Sequence, residues 1–270
     1  MPPAPQHRTA PAAAVLAAVL LPALTACGGG SAAAGAGSPA VSGPASSAAA
    51  ANLTVLAASS LTDVFRTAGA AYEKAHPGSR ITFSFAGSQE LAAQVRQGAP
   101  ADVLVTADTR TMDGLAAETA APSVIAKNRL VIATGKGNPF KIGGLKDLAD
   151  SKIKVVLAAP EVPVGRYSRR ILDAQQVRVA PVSEEPNVRA VLGKVELGEA
   201  DAGLVYATDA AKSAGKVATV DIPDGQNAVA SYPAAALKQS KNAAAAAAFT
   251  AWLSGPEAQK ILQDAGFQKP

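Results

Sequence analysis

The chain has 270 residues, enough for one large domain or two small ones with real hydrophobic cores, and a formal net charge of +4. Its Lys and Arg residues are spread out, with no basic run of the kind that binds nucleic acid; the densest group, Arg166, Arg169 and Arg170, reads as a solvated helix face. The single Cys excludes internal disulfides, Cys-based metal sites and redox pairs.

In chain order, residues 1–26 read first as a targeting segment. Arg8 is its one Lys or Arg, and the apolar stretch from Ala10 to Leu24 is short for a membrane span. Leu24-Thr25-Ala26-Cys27 follows, and a Cys placed directly after small residues resembles a bacterial lipobox. That resemblance implies a lipidated Cys27 as the mature N-terminus. Loss of Arg8 then lowers the charge to +3. No other segment is long and apolar enough to span a bilayer, so the expected attachment is by lipid alone, on the extracytoplasmic face of the cell membrane. Residues 28–51 are almost wholly Gly, Ala, Ser and Pro, with Val41 the one large apolar side chain. Such a segment buries too little surface to offset its ordering entropy, so residues 27–51 form a lipidated Cys and a flexible tether.

The body begins at Asn52. Asn52–Ala57 is an apolar strand, and Leu61, Val64, Phe65, Ala68, Tyr72 and Ala75 then keep helical spacing until His76-Pro77-Gly78 ends the run. Ile81, Phe83 and Phe85 alternate as in a strand, Ser88–Gln97 is helical, Asp102–Ala107 is a strand and Thr109–Ala117 a helix. Strands are expected at Arg129–Thr134 and Lys154–Ala158, then helices around Arg166–Ala174 and Val188–Val195. Strands at Gly203–Ala207 and Val217–Ile222 precede two helices, around Asn242–Leu253 and Glu257–Asp264. Repeated strand–helix units argue for parallel-rich α/β sheets covered on both faces. In such sheets ligands bind beyond the carboxyl ends of the strands, where helices begin.

Four of those loops offer hydrogen-bond donors. In Ala57–Asp63, Ser60 and Asp63 make a capping-box pattern, and the same hydroxyl and free N–H groups can hold an anion. In Phe85–Gln89, Gly87 permits close backbone approach and Ser88 opens a helix. In Pro160–Tyr167, two prolines and a glycine stiffen a turn that leaves the N–H groups of Val164 and Gly165 unpaired. In Glu185–Val188, Asn187 is an N-cap and Val188 starts the helix, while Gly203–Tyr206 ends a strand on a phenol. Each loop alone is an ordinary cap. Together they surround one edge with donors and require no positive side chain, which suits a dehydrated small oxyanion.

At this point the body resembles the periplasmic molybdate-binding proteins of ABC importers. The matching stretches are Ala57–Phe65, Phe85–Asp108, Asn128–Ala133, Pro160–Tyr167, Gly203–Asp209, Tyr232-Pro233 and Gly255–Phe267, and the similarity covers nearly all of 52–270. The resemblance implies an α/β, two-lobed type II periplasmic-binding-protein fold with the ligand in the inter-lobe cleft. Lobe 1 would be 52–130 plus 231–270, and lobe 2 131–230. Molybdate, or tungstate, would meet the hydroxyl of Ser60, the hydroxyl and N–H of Ser88, the N–H groups of Val164 and Val188, and the phenol of Tyr206. The metal would arrive only as the oxyanion, with no cofactor. The partners implied are the importer's permease and ATPase, and the protein is expected to be a monomer. Gly87, Val164 and Asn187 stand where Ser, Ala and Asp are frequent.

Other readings are a binder of sulfate or another tetrahedral oxyanion, a passive structural lipoprotein, and a secreted serine hydrolase. The hydrolase needs a base beside its nucleophile. His7 lies in the targeting segment, and His76 stands at the far end of the helix from Ser60, about 24 Å away. No Gly-x-Ser-x-Gly elbow occurs, so an enzyme is not expected.

Overall fold

The computed structural model describes residues 51–270; the expected targeting segment, Cys27 and most of the expected tether lie outside the described residues. Nine strands form one sheet in the order β2-β1-β3-β9-β4-β7-β5-β6, with β8 pairing to β4 off this path. In the first half-sheet, β1 (Asn52–Ala58) lies between β2 (Arg80–Ala86) and β3 (Val103–Val105), parallel to both. Their connections are α1 (Thr62–Ala75) and α2 (Ser88–Arg96), and α3 (Thr109–Asp113) follows β3. Alternation along β1 serves both faces. Leu53, Val55 and Ala57 join the main core with Phe65 and Tyr72 of α1, while Leu56 packs with Leu91 and Val95 of α2.

The second half-sheet holds β5 (Val155–Ala158), β6 (Ser183–Glu185) and β7 (Ala202–Tyr206), mutually parallel around β5. It carries α4 (Pro163–Ala174), α5 (Val188–Glu196), the short α6 (Ala207–Lys212) and β8 (Val217–Asp221). Two long strands join the halves. The 13-residue β4 (Ser123–Gly135) pairs with β9 (Val229–Ala236) through residues 123–129 and with β7 from Leu130 onward. β9 leads into α7 (Ala243–Leu253) and α8 (Pro256–Asp264), which return to the first half. None of the described helices is long and apolar enough to cross a membrane.

The expected strand–helix alternation is present, but the parallel-rich sheet is corrected to a mixed one. Every pairing made by β4 and β9 is antiparallel, because these strands pass between the halves and enter each sheet against its direction. The strand expected at Arg129–Thr134 begins six residues earlier, and the helix expected to reach Ala117 ends at Asp113.

Candidate functional site

The carboxyl ends of β1, β2 and β3 face those of β5, β6 and β7. Between them lies a small cavity with ≈ 200 Å³ of empty space, its mouth included. The residues that line it include all five sequence-derived candidates, Ser60, Ser88, Val164, Val188 and Tyr206, and none of its lining side chains is charged. All five are at least 96% buried.

From the first half, a 3-10 turn (Ser59–Leu61) opens directly from β1. Ser60 Oγ and the hydroxyl of Tyr232 on β9 share a hydrogen bond of 3.1 Å. The expected capping box is corrected here: neither this turn nor α1 has a side-chain cap, Ser60 is held by Tyr232, and Asp63 pairs with Arg189 instead. Ser88 is likewise not the N-cap of α2. Gly87 takes that position, and Ser88 Oγ accepts the N–H of Ala107 at 3.0 Å. A hydroxyl that accepts from the backbone keeps its own proton to donate, and Ser88 faces the cavity with that proton free.

From the second half, Val164 is the second residue of α4 and Val188 the first of α5. First-turn N–H groups have no carbonyl within their own helix to bond, and the helix dipole makes them attractive to anions. Asn187 caps α5 as expected, its side chain accepting the N–H of Ala190 at 3.0 Å. Gly165 lets α4 approach β5, for a Cβ there would lie 2.0 Å from the carbonyl oxygen of Ala159. Tyr206 ends β7, and its buried hydroxyl has no hydrogen-bond partner among the described residues. Burial raises its pKa well above the usual phenol value, so the group stays a protonated donor. Tyr232 is raised by burial in the same way.

Charged groups stand behind this lining. Arg189 pairs with Asp63 at 2.7 Å and with the fully buried Asp209. Burial pushes the Asp209 carboxyl up to about 6, against the pull of Arg189. Arg166 donates from Nε to Asp108 at 2.9 Å and from Nη2 to Thr111 at 2.8 Å. The solvated face expected for Arg166, Arg169 and Arg170 is therefore corrected. Arg166 turns inward, Arg169 pairs with Glu184, and of the three only Arg170 is exposed. His76 closes α1, its Nδ1 3.0 Å from the carbonyl of Tyr72, remote from the cavity lining. No group of three or more His, Cys, Asp or Glu is placed to hold a bare metal ion among the described residues. Sequence reasoning missed the orienting roles of Tyr232 and of the Ala107 N–H; Tyr232 appeared there only within a matching stretch.

The arrangement can surround a small anion with hydroxyl and N–H donors at four helix starts and one strand end. It offers no nucleophile–base pair. A family model described as bacterial extracellular solute-binding protein matches residues 53–268. The chain is similar to the molybdate-binding protein ModA of Mycobacterium tuberculosis, 41% identical over 259 residues that cover 95% of this chain and 97% of the relative. It is 32% identical to ModA of Escherichia coli over 235 residues, covering 80% and 88%. The solved periplasmic molybdate-binding protein of Azotobacter vinelandii aligns with a TM-score of 0.70 over 81% of this chain and 99% of that one. Its 23% identity makes that a likeness of fold alone.

Proposed function

The chain belongs to the bacterial extracellular solute-binding proteins, and from that premise we propose that it captures molybdate outside the cytoplasm and delivers it to an ABC importer. It is a binding protein, not an enzyme, and its fold is the two-lobed α/β fold of periplasmic binding proteins. One observation carries the oxyanion reading: Ser60, Ser88, Val164, Val188 and Tyr206, brought from five separate segments, line a single cavity that has no charged side chain in its wall. Two lobes, 52–130 with 231–270 and 131–230, hold the anion between them.

A wall of hydroxyls and N–H groups suits molybdate or tungstate, unprotonated dianions at neutral pH whose oxygens all accept. Phosphate near pH 7 carries a proton that needs an acceptor, and burying it unpaired costs on the order of 1–3 kcal/mol. A thermal-shift panel at pH 7 tests the reading, since a ligand that binds only the folded state raises the melting temperature. Molybdate and tungstate should stabilise strongly, sulfate less and phosphate hardly at all. No shift with molybdate, or an equal shift with phosphate, would overturn it. The protein works from the membrane surface on a lipid at Cys27, a reading that rests on Leu24–Cys27 and the uncharged segment after it. Cys27→Ser should release it from the membrane fraction; a variant still fully bound there would remove the anchor.

A further inference from the structure

We infer that Arg166 and Arg189 are the clasp of the cleft, positioning residues that hold the two halves together and set how slowly the anion leaves. The inference rests on the oxyanion-binding reading above. Each arginine stands just after a backbone donor of the second half: Arg166 two residues beyond Val164 on α4, and Arg189 next to Val188 on α5. Each reaches a carboxylate of the first half that adjoins a wall of the cavity. Arg166 holds Asp108, the residue after Ala107, whose N–H orients Ser88. Arg189 holds Asp63, three residues beyond Ser60.

These pairs join positions 58 and 126 residues apart, so they are features of closure and not of local chain geometry. A third crossing lies beside them, where Gln89 on α2 donates to the carbonyl of Pro186 at 2.8 Å. There the halves touch backbone to backbone, since a Cβ on Gly87 would lie 2.5 Å from that same carbonyl oxygen.

Neither arginine lines the cavity. Their charge is matched by carboxylates, so they act on the anion through closure and not by contact. The two pairs differ in what opening costs. Arg189 keeps Asp209, a residue of its own half, and loses only Asp63. Arg166 loses both Asp108 and Thr111, and the Asp108 side chain is only 6% exposed in the closed cleft. Removing one partner of such a half-buried pair leaves its mate desolvated and unpaired, a cost that falls on the closed form. Opening from the closed form is the step of release, so the effect belongs in the dissociation rate.

The test measures release of labelled molybdate into excess unlabelled molybdate, and association separately, for Asp108→Asn and Asp63→Asn. Asn at 108 can still accept the N–H of Thr111 and cap α3, and Asp63 is 41% exposed, so both variants should fold. Asp108→Asn should release the anion about tenfold faster and Asp63→Asn, which leaves Arg189 paired with Asp209, only a few-fold faster, while association changes little in either. In a double-mutant cycle, the effects of Arg166→Gln and Asp108→Asn on the release rate should be clearly less than additive, the remainder being the Arg166 bond to Thr111. Wild-type release rates in both folded variants would overturn the clasp alone. A wild-type protein that retains no molybdate would overturn the functional reading, and the clasp with it.

Discussion

Ser88 and Tyr206 both put a hydroxyl at the cavity, but the protein holds them differently, and their substitution should separate binding from stability. Ser88 Oγ accepts the N–H of Ala107, whereas the Tyr206 hydroxyl is buried without a partner among the described residues. Each variant, Ser88→Ala and Tyr206→Phe, should weaken molybdate binding by about 1–3 kcal/mol, the range for a hydrogen bond to a charged group. Ser88→Ala should also lower the melting temperature of the free protein, because it strands a buried N–H. Tyr206→Phe should leave it nearly unchanged, because in the free protein, whose halves part, that hydroxyl meets water. Calorimetry with thermal denaturation checks both, and wild-type affinity in both variants would take these residues out of the site. Asp209 gives a prediction about pH. Its folded pKa lies above the usual carboxylate value, at about 6, through burial. A group raised on folding adds stability that is full below its unfolded pKa and is lost as pH rises through the folded one. As pH falls from 7 to 4, the native protein should therefore gain on Asp209→Asn, by up to roughly 3 kcal/mol. Urea unfolding across that range measures it, and a constant difference would mean that Asp209 titrates alike in the folded and unfolded chain.

Among the elements, α4 and α5 carry matched glycines that predict opposite outcomes. Gly165 sits where a Cβ would meet the carbonyl oxygens of Ala159 at 2.0 Å and Ala158 at 2.6 Å, and backbone atoms cannot swing aside. Gly165→Ala should push the start of α4, with the Val164 donor, out of the cavity, costing about 1–3 kcal/mol of stability and weakening molybdate binding as well. Gly193 in α5 has nothing within 4 Å of its would-be Cβ, and its backbone is helical, so Gly193→Ala should stabilise by roughly 0.5–1 kcal/mol with affinity unchanged. Two denaturation curves and two titrations decide this; equal effects from both glycines would deny α4 its special closeness. The loops at the carboxyl ends of the strands were legible in the sequence because Ser, Gly, Pro and Asn punctuate a helix start locally. Those signals could not say which role a Ser plays: a cap and an anion donor share one pattern, and Tyr232, whose hydroxyl bonds Ser60 in place of a cap, lies 172 residues away. β9 went unread because Pro233 interrupts it, and a proline argues against an interior strand. It is tolerated where β4 bulges opposite it, between Val124 and Ala126. β6 is three polar residues and α6 a turn and a half, both too short for a periodic signal. The inward turn of Arg166 was hidden because its partner Asp108 belongs to the other half of the cleft.

At the scale of the molecule, a cavity whose five donors are almost wholly buried cannot admit an anion unless the halves part. The chain passes between the halves at few points. β4 changes partners between Arg129, which pairs with Val229 of β9, and Leu130, which pairs with Tyr206 of β7. β9 starts at the same level, so the two crossings lie side by side and define one axis. Rotation about that axis leaves the pairings within each half-sheet intact and breaks the contacts that span the cleft: Arg166 with Asp108, Arg189 with Asp63, and Gln89 with Pro186. Such hinge closure would concentrate dihedral change in a few residues at the ends of elements, expected here near Val131 and Ala230. On the proposed reading of the site, molybdate should bind the closed form better, because only there would donors from both halves reach it at once, and a ligand shifts an equilibrium by its differential affinity. Small-angle scattering of the free protein and of the protein saturated with molybdate should therefore show a smaller radius of gyration with the anion, while phosphate at the same concentration leaves it unchanged. The same radius with and without molybdate would mean that entry takes place without parting of the lobes, and the hinge at β4 and β9 would have to be abandoned.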